Sequence, residues 1–94
     1  MKHASARSLQ ELEPLIVRLR LLPGLVERKH GTFYYRSSAF LHFHEDPAGL
    51  FADAKLDFKV FERHRVSTRV EQSALLKAVA VVLTGVKTRA SSRL

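Results

Sequence analysis

The stretch that most constrains this chain is GTFYYRSSAFLHFHEDPAGLFADAKL, residues 31 to 56. Aromatic and β-favouring residues dominate it and two turn signals divide it, which predicts three successive strands of an antiparallel meander. Ser37-Ser38 reads as the first turn. Asp46-Pro47-Ala48-Gly49 reads as the second, with Asp at its first position, Pro pre-set at the next, and Gly free to turn left-handed. That tetrapeptide suits a type I turn closed by a glycine bulge, which sets Asp46 opposite Leu50, His44 opposite Ala52 and His42 opposite Ala54. In this register Asp53 points away from the histidines. A simpler four-residue loop sets His42 opposite Asp53 on one face.

Helices flank the meander. Ser8 and Glu11 have the spacing of a capping box, and Leu12, Leu15, Ile16, Leu19 and Leu22 recur with helical period. Pro14 is compatible only with a first turn, so the helix proper is expected from Glu13, after an irregular lead-in over 8–12. Pro23-Gly24 ends it, and LVERKHG reads as a link. Residues 57–64 show no clear period, and RVST reads as a short fourth strand. Thr68 and Glu71 form a second capping box, followed by Val70, Ala74, Leu75, Ala78, Val79 and Val82 on one helical stripe, with Gly85 as the stop. The expected architecture is α+β: a meander sheet of three to four strands packed with an N-terminal and a C-terminal helix. One domain spans 9–84, between flexible basic tails at 1–8 and 85–94.

LPGLVERKHGTFYY, followed by a turn and AFLHF, resembles the opening of the MmcQ/YjbR-like bacterial proteins. Leu22, Pro23, Gly24, Glu27, Gly31, Phe33 and Phe40 carry the likeness, over residues 22–43. The resemblance implies an α+β fold with a meander sheet and the DNA-binding role suggested for that group. The chain departs from the group in lacking its C-terminal tryptophan-containing segment.

Composition narrows the chemistry. There is no cysteine, which removes disulfides, thiolate metal sites and cysteine nucleophiles together. No apolar run approaches the length of a membrane helix and the N-terminus lacks a signal-peptide core, so a cytoplasmic protein is expected. The formal charge is +7, yet residues 9–83 hold eleven Lys and Arg against nine Asp and Glu. Most of the basicity belongs to the two ends, which weakens the general case for nucleic acid.

Three constellations carry chemistry. His42 and His44 project to one face of a strand and can share a metal, completed by Asp46 or Asp53; packing on an aromatic face explains them equally. Lys59, Arg63, Arg65, Ser67, Thr68 and Arg69 run into the N-terminus of the last helix, where free amides and guanidinium forks suit phosphate or nucleic-acid backbone. The bland counterpart is a solvated edge strand. Finally, Phe33, Tyr35, Phe40 and His42 are expected on one sheet face and Tyr34, Leu41 and Phe43 on the other. Two apolar faces require a second cover, which a second helix layer or a homodimer supplies. No cofactor motif and no nucleophile elbow is present, so a binding module or structural dimer is expected ahead of a metal-dependent enzyme.

Overall fold

A computed structural model describes residues 2–92. The elements are β1 (Lys2–His3), α1 (Ala6–Glu11), α2 (Glu13–Arg20), β2 (Leu25–Lys29), β3 (Thr32–Tyr35), β4 (Ser38–Asp46), β5 (Gly49–Ala54), β6 (Glu62–Arg65) and α3 (Arg69–Ser92). The fold is α+β, as expected, but its antiparallel sheet has six strands rather than three or four, in the order β2-β3-β4-β5-β6. β1 pairs with β4 through Lys2–Glu45 and His3–His44, on the edge that β5 leaves free, so it continues the line of β3.

Residues 2–8 are therefore not a tail: β1 and the start of α1 belong to the body. Ser5, rather than Ser8, caps α1 by accepting the Ser8 N–H at 3.3 Å. Pro14 falls in the first turn of α2 as the sequence required. The presumed link LVERKHG is strand β2, and the last strand is Glu62–Arg65, ending where RVST was expected to begin. At the other end α3 runs through Gly85 to Ser92; residues 93–94 of the expected tail lie outside the described residues.

One sheet face carries the core. Leu12, Leu15, Ile16 and Leu19 from the first two helices meet Phe33, Leu41, Phe43, Ala52 and Ala54. From α3 the buried stripe is Leu75, Val79 and Leu83, so Val70, expected inside, stands 78% exposed. The LPG–E–G pattern is explained by packing. Gly24 has φ +85°, and a Cβ there would meet the Tyr35 ring at 2.6 Å. Glu27 accepts the Gly31 N–H at 2.8 Å and pairs with Arg20, tying β2 to the second helix.

Both turns of the meander differ from expectation. Arg36 and Ser37, with φ of 52° and 68°, are the central residues of the first, one place earlier than Ser37-Ser38. The β3–β4 ladder then skips Phe40, so Phe33 faces Leu41 on the helix-covered side, away from His42. The second turn is a two-residue loop that pairs Asp46 with Gly49, His44 with Phe51 and His42 with Asp53. The glycine-bulge register is overturned. Asp53 returns to the histidine face.

Candidate metal centre

The face turned away from the helices is partly covered by the chain itself. In the loop after β5, Asp57 Oδ1 accepts the amides of Lys59 and Val60, and the Phe58 N–H donates to the Lys55 carbonyl at 2.9 Å. Phe58 packs on Phe40 and Tyr35, with centroids 5.9 and 5.3 Å away. Phe61 meets His42 edge-on at 4.8 Å. Beside this cover lie the histidines.

Register alone gathers them. His42 and His44 are two apart on β4, and His3 on β1 pairs directly with His44. The rings of His3 and His44 stack at 5.0 Å, and those of His42 and His44 stand edge-to-face at 4.7 Å. One nitrogen from each ring lies within 4.8 Å of the others. A tetrahedral zinc with Zn–N of about 2.0–2.1 Å holds its ligand nitrogens about 3.3 Å apart, so a modest contraction closes the set. His3 is exposed and sits on a two-residue strand, which makes it the side chain best able to supply that movement.

The nitrogens lack other partners. His42 Nδ1 and both nitrogens of His44 are buried without a hydrogen bond. Buried polar atoms are normally satisfied, so three orphans at one spot require an explanation. Asp53 Oδ2 approaches His44 Nε2 to 3.2 Å, but off the hydrogen-bonding direction. A small ring rotation would align that contact into the carboxylate–imidazole pairing found behind metal-bound histidines.

Electrostatics favour the ligating forms. Burial, reinforced by neighbouring His44, lowers the pKa of His42 and keeps its imidazole neutral. Asp53 is 8% exposed. The Arg63 fork grips both its oxygens at 2.9 and 3.0 Å and holds its carboxyl below the usual carboxylate range despite burial. Arg63, expected to contact external anions, thus orients the carboxylate behind His44.

The other residues of the expected anion cradle do not converge with it. Ser67 and Thr68 both donate backbone N–H groups to Glu71 Oε1 at 3.0 Å, and Thr68 Oγ1 accepts the Glu71 N–H in return. An internal carboxylate therefore occupies the helix N-terminus. Arg65 Nε lies 3.4 Å from Glu71 Oε2, while Lys59 and Arg69 are exposed. Asp46, the other carboxylate considered for the histidines, closes the β4–β5 turn and accepts the Ala48 amide at 3.3 Å. His3 was missed by sequence reading because the first eight residues were expected to be a tail. Its only local signal was its identity.

Compared with protein-family models, curated proteins and solved structures, the chain matches none. Among the described residues no helix is long and apolar enough to cross a membrane.

Proposed function

We propose that this protein is a small metal-binding domain that holds a divalent transition ion through His3, His42 and His44. The observation that carries this reading is the convergence of three imidazoles, two of them with buried nitrogens that have no partner. An all-imidazole set suits zinc, copper, nickel or iron, and three protein ligands leave a coordination position for water or a ligand. Asp53, fixed by Arg63, orients His44. Phe61 shields His42 and lowers the local dielectric, which strengthens every polar contact at the ion.

Calorimetric titration of chelator-treated protein with zinc tests this. One ion per chain is expected, and His42→Ala is expected to weaken binding by at least tenfold. A wild-type protein that takes up no zinc, or an unchanged affinity in the variant, would end the reading.

Anion or nucleic-acid contact through residues 59–69 is a weaker proposal, since Arg63 and the cap amides already serve internal carboxylates. A homodimer draws support from a different observation: Phe58, Val60 and Phe61 remain 41%, 59% and 39% exposed on one loop. Sedimentation at two protein concentrations tests it. A monomer mass at both excludes it.

A further inference from the structure

We propose that the cleft between the β3–β4 turn and the loop after β5 binds a small planar aromatic oxyanion, a carboxylate or phosphate carried on a flat ring system. The cleft is about 380 Å³, within the range of small-molecule sites. Tyr35, Phe40 and Phe58 form its walls, and Arg36 and Lys55 are the charged groups that line it.

Three observations point to that ligand class. The walls are ring faces and edges, with centroids 5.3 to 6.1 Å apart, and such surfaces receive flat π-systems better than branched aliphatic ones. Charge comes next. Among the described residues no carboxylate pairs with Arg36 or Lys55. Instead, Arg36 lies 5.2 Å over the Tyr35 ring and Lys55 lies 4.8 Å over the Phe61 ring. The contact with Tyr35 holds the Arg36 head against a wall of the cleft, and neither cation–π contact uses the N–H donors of its cation, which stay available to an oxyanion.

The third observation is how the cleft is held. Phe58 adopts φ +63°, a left-handed conformation that is an outlier for a bulky residue. Two amides bound by Asp57 and the Phe58–Lys55 turn hydrogen bond maintain it. That conformation lays the ring on Phe40 and Tyr35. Opposite, Arg36 is set by its own left-handed turn position, and the Gly24 backbone backs Tyr35. Both sides of the cleft are therefore fixed by backbone geometry before any ligand arrives, which lowers the ordering cost of binding.

The test titrates metal-free protein, so that the histidine cluster contributes nothing, with 2-naphthoate and with 2-naphthyl phosphate. Uncharged 2-naphthamide and non-aromatic cyclohexanecarboxylate are the comparators. Saturable binding of either aromatic anion is expected, with both comparators roughly tenfold weaker or worse. Binding of only one of the two anions identifies the oxyanion and supports the proposal. R36Q and K55Q, both near the surface, should keep the wild-type circular dichroism and each reduce affinity roughly tenfold. Amide shifts on titration should centre on residues 35–40 and 55–58. Absence of binding by both anions, equal affinity for naphthoate and naphthamide, or unchanged affinity in both variants would overturn it.

Discussion

Asp53 is the residue on which the site turns, and its position depends on a contact distant in sequence. The DPAG motif alone favours a register in which the Leu50 amide pairs back toward Asp46. In the folded chain the Leu50 N–H donates to Ser67 Oγ at 2.8 Å, and its carbonyl accepts the Val66 N–H at 2.8 Å. Both polar groups of Leu50 thus face the β6 side, leaving Gly49 to close the turn with Asp46. A Cβ on Gly49 would lie 2.3 Å from Ser67 Oγ, so the glycine is needed for this close approach as well as for its φ of +138°. Turn chemistry could not reveal a partner 17 residues away. If Asp53 orients His44 as described, Asp53→Asn keeps the shape and removes the charge, and zinc affinity should fall by about 10- to 100-fold. A titration of that variant indistinguishable from wild type would remove Asp53 from the site.

At the scale of elements, the sequence was legible where one residue type does one local job. The Thr68–Glu71 capping box, Pro14 in the first turn of α2 and the stripe of Leu12, Leu15, Ile16 and Leu19 all follow from local rules. Strands β2 and β6 were not legible. LVERK and ERHR carry the charges that protect sheet edges, and this erases the apolar alternation by which a strand is recognised. β1 was missed because two exposed residues have no pattern.

What holds β1 and α1 to the sheet is Glu45. Its Oε1 accepts the Ser5 N–H at 2.5 Å and the Ser8 hydroxyl at 2.9 Å, and Lys2 Nζ lies 3.5 Å from Oε2. The Ser5 amide is the main reason that its pKa falls to about 2 from an ordinary 4.5. A carboxyl depressed in the folded state stabilises fully above its unfolded pKa and loses that contribution as pH falls toward the folded value. Between about pH 5 and 2 the docking of β1 and α1 should therefore loosen, seen as faster amide exchange at Ser5 and Ser8. Glu45→Gln should already exchange faster at pH 7 and show a flatter acid dependence. Superimposable profiles for the two proteins would contradict this role. Because β1 carries His3, the same variant should bind zinc more weakly.

For the whole molecule, the order of predicted elements pointed correctly to an α+β fold but started it at residue 9, whereas Lys2 and His3 already pair with the sheet. That error removed His3 from consideration and left a two-histidine site too sparse to favour. Part of the positive charge, so prominent in composition, is used internally: Arg20 serves Glu13 and Glu27, Arg63 serves Asp53, and Arg65 serves Glu71. Metal binding should act on the entire fold, because an ion joining β1 to β4 binds the native arrangement and not the unfolded chain. At a zinc concentration about 100 times Kd the expected stabilisation is about 2.7 kcal/mol, a rise of several degrees in Tm for a domain of this size. His3→Ala should lose most of that rise while melting close to wild type without zinc. An equal zinc-induced shift in both proteins would place the ion elsewhere.

The most direct measurement is the visible absorption spectrum of the cobalt(II)-substituted protein, compared with that of His3→Ala. Three imidazoles and one solvent ligand in a tetrahedral array predict intense d–d bands in the wild type that collapse in the variant. A weak, octahedral-type spectrum in the wild type, or identical spectra from both proteins, would contradict the three-histidine centre.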